Sequence, residues 1–89
     1  MVKPSSRAPV EIEVRQAFGA TVRKLREDSA ITQEVLAHQS GLSVSYVSLL
    51  ERGKKTATLF SAARLAHVFG MTLTQVIALT ESESSPKPR

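Results

Sequence analysis

Apolar residues recur every three or four positions through most of the chain, and this spacing predicts a series of short amphipathic helices. The apolar face of the first helix carries Val14, Phe18, Val22 and Leu25. In total, helices are predicted over residues 10–28, 33–39, 44–52 and 57–69 and from Thr72 onward. Beyond the first helix, the side chains predicted to face the core are Val35, Leu36, Gln39, Val47, Leu50, Leu59, Ala62, Leu65, Ala66, Phe69, Leu73, Val76 and Ile77. The pattern predicts an all-α fold.

Glycine and hydroxyl residues mark the boundaries of these predicted helices. Glycine is the usual residue where a helix ends in a left-handed conformation, and three predicted helices are followed by Gly41, Gly53 and Gly70. Thr32 and Ser43 are predicted N-caps of the second and third helices. Thr72 and Gln75 have the spacing of a capping box at the start of the fifth helix.

The prolines divide the chain into a central domain and two terminal segments. Residues 10–80 contain no proline and form the predicted helical domain, whereas residues 1–9 combine prolines, serines and cations with little to bury. Residues 81–89 are of similar composition. We therefore expect 1–9 to be a flexible N-terminal arm and 81–89 a flexible C-terminal tail.

Composition narrows the classes of function. A chain of 89 residues buries only roughly two thirds of its unfolded surface, so a partner subunit would help to stabilise it. The formal charge of +4 favours a polyanionic partner, with nucleic acid ahead of an anionic membrane. There is no cysteine, no long apolar run and no signal-peptide pattern, which is typical of a cytoplasmic protein without a membrane partner.

The sequence offers no support for catalysis or for a metal site. His38 and His67 lie 29 residues apart, with no carboxylate or thiol at a ligand spacing. The serines of segment 43–48 have no histidine in an activating context. Phosphate-cradling glycine motifs are absent as well. We expect a protein that is not an enzyme, that needs no cofactor and that has no small-molecule ligand.

Residues 32–54, "TQEVLAHQSGLSVSYVSLLERGK", have the pattern of a helix-turn-helix. Two short helices joined by a turn at Gly41 cross steeply, and small Ala37 lets them approach closely. Leu42 and Val47 are predicted to anchor the second helix from beneath. The major groove of DNA accepts one such helix, while the preceding helix crosses the phosphate backbone. Double-stranded DNA is therefore the predicted partner.

Three segments, "FGATVRKLRE", "TQEVLAHQSGLSVSYVSLLERGKK" and "ATLFSAARLAHVFGMTLTQVI", extend the pattern from Phe18 to Ile77. Together they resemble the Cro/CI-type helix-turn-helix regulators of the XRE family, including short controller-protein-like repressors. The resemblance implies a five-helix, lambda-repressor-like DNA-binding domain and a role in transcription regulation. It also implies a salt bridge between Arg26 and Glu51 that ties the first helix to the end of the recognition helix.

The resemblance also implies which residues contact DNA. Gln33 and Ser43 match positions that hold phosphates, and Tyr46 matches a tyrosine that lies against the sugar-phosphate backbone. The residues that face the bases are Val44, Ser45, Ser48 and Leu49, and the phosphate-binding cations that follow are Arg52, Lys54 and Lys55. None of the four base-facing residues is a bidentate base reader, so much of the specificity is expected from DNA shape. The alternatives are a half-buried core tyrosine at 46 and an ordinary solvated helix end at 52–55.

Phe60 falls at a position where the family commonly has a charged residue facing solvent. With Val76 and Leu79 it is predicted to form the interface of a homodimer that binds a pseudo-palindromic operator. The alternative is that Phe60 packs on Leu79 or Arg64 within one subunit. For the whole chain, the alternative function is a protein-interaction module, such as an antitoxin or adaptor, with secondary or no DNA binding.

Overall fold

The structure is a computed structural model that describes residues 7–84, with side chains from 10 to 83. Residues 1–6 and 85–89, which belong to the predicted arm and tail, lie outside the described residues. The helices are α1 Arg7–Asp28, α2 Gln33–Ser40, α3 Val44–Glu51, α4 Leu59–Val68 and α5 Leu73–Ser84. Residues 7–84 contain no strand, and the predicted all-α, five-helix fold is confirmed.

Two helix starts differ from the prediction. Helix α1 begins at Arg7 and includes Pro9, because a proline in the first turn of a helix loses no backbone hydrogen bond. Helix α4 begins at Leu59, two residues later than predicted, because Thr58 caps it. The Thr58 hydroxyl accepts from the Ser61 amide, and the Ser61 hydroxyl accepts from the Thr58 amide. The predicted capping box of α5 is confirmed, with the same two reciprocal bonds between Thr72 and Gln75.

Helices α1 to α4 end in the same backbone motif. At the end of α2, the Gly41 amide donates to the His38 carbonyl and the Leu42 amide donates to the Ala37 carbonyl. The first residue after the helix, which is Gly41 for α2, needs a left-handed conformation in this motif. The three predicted glycines supply it, with φ of 74° at Gly41, 71° at Gly53 and 67° at Gly70. After α1 the same place is taken by Ala30, at φ 57°.

The core lies where α1 packs against α3 and α5, and where α2 packs against α3 and α4. Its largest fully buried side chains come from each helix: Val22, Leu36, Val47, Leu50, Leu65 and Val76. Gly19 sets the distance between α1 and α3. A Cβ atom on Gly19 would overlap the carbonyl oxygen of Leu50 and lie 2.8 Å from that of Glu51. Only a residue without a side chain lets α1 cross the end of α3 this closely.

Several residues predicted to be buried are exposed in the single chain. Val35 and Gln39 of α2 face solvent, because the buried face of α2 is formed by Leu36, Ala37 and Ser40. The Ser40 hydroxyl is satisfied inside the core by the carbonyl of Leu36, 2.7 Å away. On the other helices, the exceptions with the highest exposure are Val14 at 49%, Leu59 at 73% and Ile77 at 37%.

No helix within residues 7–84 is by itself long and apolar enough to cross a bilayer. Helices α4 and α5 have the length and apolar character of a membrane span only when taken together, and the chain bends by 101° between them.

Candidate nucleic-acid interface

Helices α2 and α3 form the predicted helix-turn-helix. Thr32 caps α2 by accepting the Val35 amide at 3.1 Å, and Ser43 caps α3 by accepting the Tyr46 amide at 3.0 Å. Between the caps, Gly41 closes α2 and directs the chain into α3. Ala37 is buried where the two helices meet. Local capping and one small residue therefore fix how α3 sits on the domain.

Helix α3 has one buried and one accessible face. Val47 and Leu50 are fully buried, as predicted, whereas Ser43, Val44 and Ser45 at its N-terminal end are exposed. Val44 is 41% exposed although it is apolar. One turn further on, the predicted base-facing residues are half-buried: Ser48 and Leu49. The accessible surface of α3 is concentrated at its N-terminal end.

Three cations follow α3 on the surface. Arg52, Lys54 and Lys55 are all exposed, and the Arg52 guanidinium bends back to the carbonyl of Ser48 at 3.4 Å. The Lys54 amide donates to the carbonyl of Leu49 at 2.9 Å, which folds the chain back at the end of the helix. The predicted basic segment thus lies at the C-terminal end of α3, so the exposed face of the helix is followed by positive charge.

A buried ionic network joins α1, α2 and α3. The Arg26 guanidinium donates to both carboxylate oxygens of Glu51, at 2.7 and 3.1 Å, and to the Ile31 carbonyl at 3.0 Å. The Glu51 side chain is only 2% exposed. The hydrogen bond between Arg26 and Glu51 raises the pKa of Arg26, and burial of the guanidinium opposes that rise. The salt bridge implied by the resemblance is confirmed.

Gln33 has a structural role that sequence reasoning missed. Its side-chain amide donates to Glu51 at 2.9 Å, which attaches the first turn of α2 to the end of α3. No local pattern marks this bond, because the two residues are 18 positions apart. An amide nitrogen carries two hydrogens, so the bond to Glu51 leaves one N–H for a phosphate. The predicted phosphate contact of Gln33 stays a prediction.

The Tyr46 hydroxyl is hydrogen-bonded within its own subunit. The side chain is half-buried, and its hydroxyl lies 3.0 Å from that of Ser61 and 3.4 Å from the carbonyl of Thr56. These bonds hold α3 against the cap of α4, and both partners of the Tyr46 hydroxyl belong to the same subunit. The alternative of a half-buried core tyrosine is favoured, although its hydroxyl is hydrogen-bonded to protein. The contact of Tyr46 with the sugar-phosphate backbone of DNA stays a prediction.

The three residues predicted at the dimer interface have different environments. Val76 is only 1% exposed and belongs to the core, so its place in an interface is wrong: its side chain is enclosed by its own subunit. Phe60 is 80% exposed, which also excludes the alternative that it packs on Leu79 or Arg64. Leu79 is exposed and lines a surface groove with Lys24, Leu25 and Asp28 of α1.

No cluster of three or more metal-binding side chains occurs within the described part of the chain. His38 and His67 are both exposed.

Comparison with known proteins places this arrangement in a family. The model of the helix-turn-helix family HTH_3 matches residues 22–76, more than half of the chain. An uncharacterised HTH-type transcriptional regulator, y4dJ of Sinorhizobium fredii, is 30% identical over 70 residues, which cover 79% of this chain and 91% of that protein.

Two solved structures are similar in both fold and sequence. The clp gene regulator ClgR from Corynebacterium glutamicum has a TM-score of 0.76 and 32% identity, over 81% of this chain and 77% of that one. The restriction-modification controller protein C.AhdI from Aeromonas hydrophila has a TM-score of 0.67 and 34% identity, over 70% of this chain and 94% of that one. The chain therefore belongs to the helix-turn-helix family of DNA-binding transcriptional regulators of the XRE type.

Proposed function

We propose that the protein binds a pseudo-palindromic operator as a homodimer, with α3 of each subunit in the major groove. One observation carries the proposal: the N-terminal end of α3 is exposed, its other face is buried, and cations follow it. The exposed side of a helix held in this way can enter the major groove of DNA, which is about 12 Å wide. As a cytoplasmic regulator without catalytic activity, it would act by occupying its site.

Base reading is assigned to Val44 and Ser45, the exposed residues of the first turn of α3. A valine side chain can select thymine through the C5-methyl group, and a serine hydroxyl can bond to several base edges. Ser48 and Leu49 are half-buried and have less surface to offer. With no bidentate reader, sequence-dependent DNA shape supplies much of the remaining specificity.

Phosphate binding is assigned to two places on either side of α3. The first is the N-terminal end of α2 and the cap of α3. Here Gln33, Ser43 and the backbone amides that have no partner within the helix would donate hydrogen bonds to a DNA phosphate. The second is the exposed basic segment, whose cations are Arg52, Lys54 and Lys55. Such contacts fix position and supply affinity but carry no sequence information.

Selection of bound sequences from random duplex DNA tests this proposal. The expected result is a site of two similar half-sites related by a two-fold axis, with centres about one helical turn apart. Enrichment of a single asymmetric half-site would contradict the homodimer. No enrichment at any salt concentration would contradict operator binding itself.

A second candidate function is favoured by the apolar character of α3. Val44 is exposed and Leu49 is half-exposed, which also suits a protein partner. A salt titration distinguishes the two, because the logarithm of DNA affinity falls linearly with the logarithm of salt concentration, by roughly 0.9 for each phosphate neutralised. A flat response would favour the protein-interaction module.

A further inference from the structure

Three apolar residues that the helical pattern assigns to buried positions are exposed in the single chain, and they lie together. Val14 of α1, Leu59 of α4 and Ile77 of α5 all line one surface groove. They come from three different helices, so their convergence is a property of the fold. A second molecule that covered this groove would bury all three side chains.

The groove has the size and chemistry of a site for one phenyl ring. Its volume is 140 Å³, and its inner wall is formed by Phe18, Ala62 and Thr80. An apolar cavity of about 150 Å³ accommodates benzene in another protein. Its lining includes two cations, Arg15 and Lys55. The groove therefore offers apolar walls with positive charge beside them.

Phe60 supplies a matching group on the same helix. It is 80% exposed and follows Leu59, which lines the groove, directly in the chain. On the proposed two-fold dimer, each subunit presents both a ring and a groove, as a self-complementary interface requires. We infer that Phe60 of each subunit inserts into the groove of the other subunit. This inference rests on the proposed homodimer and defines the contact that holds it together.

The groove lining suits an aromatic ring and disfavours a cation. The Nε atom of Arg15 is buried and has no hydrogen-bond partner among the described residues. The face of an aromatic ring attracts a guanidinium, and a ring brings no hydrogen-bonding group that would need its own partner. A lysine or arginine from a second subunit would instead meet like charge from Arg15 and Lys55.

Two substitutions remove the two halves of the contact. Phe60→Ala removes the ring and leaves the groove, whereas Ala62→Leu fills the groove and leaves the ring. Truncation of a central aromatic anchor weakens an interface by about 30-fold or more. Each homodimer contains two such contacts, so sedimentation equilibrium should show a dissociation constant raised roughly 1,000-fold for each variant.

Mixing the two variants gives the sharper test. The mixed dimer regains one contact, because Phe60 of the Ala62→Leu chain meets the open groove of the Phe60→Ala chain. It should be weaker than the parent dimer by only about 30-fold, and thus tighter than either variant alone. Two variants that were weak only because they fold poorly would not regain association on mixing.

Folding and specificity need separate controls. Ala62 is buried, so Ala62→Leu can destabilise the fold. Ile77→Lys changes the exposed wall of the groove instead. If Ile77→Lys keeps a melting temperature closer to that of the parent, it takes the place of Ala62→Leu in the mixing experiment. Ile12→Ala truncates an exposed apolar residue of α1 that does not line the groove, and its dimer should dissociate as the parent does.

The outcomes separate this inference from the proposed function. If Phe60→Ala and Ile77→Lys dimerise as tightly as the parent, the ring-in-groove contact is wrong, while a dimer on another surface can still bind the operator. If the parent is monomeric at all concentrations and on DNA, both the contact and the proposed homodimer fail. If both variants dissociate and their mixture associates, the contact is established.

Discussion

Glu51→Ala removes the carboxylate at the centre of the network that joins α1, α2 and α3. Arg26 is left with the Ile31 carbonyl, and the Gln33 amide loses its acceptor. The Arg26 side chain is only 14% exposed, so water cannot fully replace the carboxylate. The main cost of the substitution is therefore an uncompensated charge held largely out of solvent.

Breaking a buried ion pair by removing one partner typically destabilises a protein by about 3–5 kcal/mol. The whole stability of a domain is about 5–15 kcal/mol, so the loss would be a large fraction of it. In a domain of this size, 1 kcal/mol corresponds to about 4–8 °C in melting temperature. We expect Glu51→Ala to melt at least about 12 °C below the parent.

Thermal and urea unfolding followed by far-ultraviolet circular dichroism measure this loss. Glu27→Ala is a matched control, because Arg23 and Glu27 form an exposed ion pair at 3.1 Å whose removal should cost at most about 0.5 kcal/mol. Replacing both buried partners, as in Arg26→Met with Glu51→Leu, should recover much of the stability. If Glu51→Ala melts as close to the parent as Glu27→Ala does, the reasoning from burial is refuted.

Ionisation of Arg26 adds no pH dependence near neutrality. Its pKa is raised above the ordinary arginine value by the bond to Glu51. A raised pKa of a cation stabilises the fold fully below the unfolded pKa, and this stability is lost only as pH rises through the folded value. The contribution of the Arg26 charge is thus constant at physiological pH and declines only in strong alkali.

The remaining predictions concern packing, a helix end and DNA affinity. Gly19→Ala should lower the free energy of unfolding by at least about 1–3 kcal/mol, because its methyl group overlaps the carbonyl of Leu50; a melt equal to that of the parent would contradict the close crossing. Ala30→Gly should raise the free energy of unfolding by about 0.5–1 kcal/mol by relieving the left-handed strain, and any loss in urea melts would contradict this. Lys54→Ala should weaken operator binding and reduce the log–log salt slope by about 1, whereas an unchanged slope would remove Lys54 from the phosphate contacts.

Features that depend on neighbouring residues could be predicted from the sequence. The capping box of Thr72 and Gln75, the cap at Ser43 and the left-handed Gly41 all form as predicted, because their partners lie within a few positions. The order of the helices follows from these boundaries. The pair Arg26 and Glu51 follows from the family resemblance, because no local spacing joins two residues 25 positions apart.

Features that depend on distant residues could not be predicted. The bond from Tyr46 to Ser61 spans 15 positions, and no local pattern marks it. Val76 and Ile77 are adjacent and both apolar, yet only Val76 is buried, since the rotation of α5 is fixed by its packing against α1 and α4. For the same reason the pattern could not distinguish residues buried within one chain from those that line the groove.

The most direct test of the central claim changes a single group that only the major groove exposes. Thymine and uracil differ by the C5-methyl group, so uracil-substituted operators remove what Val44 is proposed to contact. We expect one substitution within each half-site to weaken binding of the parent by about 15-fold, because the operator then loses two methyl groups, each worth about 0.8 kcal/mol when buried. Val44→Ala should be insensitive to it. Equal loss, or no loss, for both proteins would contradict the proposed contact of Val44 with a thymine methyl group in the major groove.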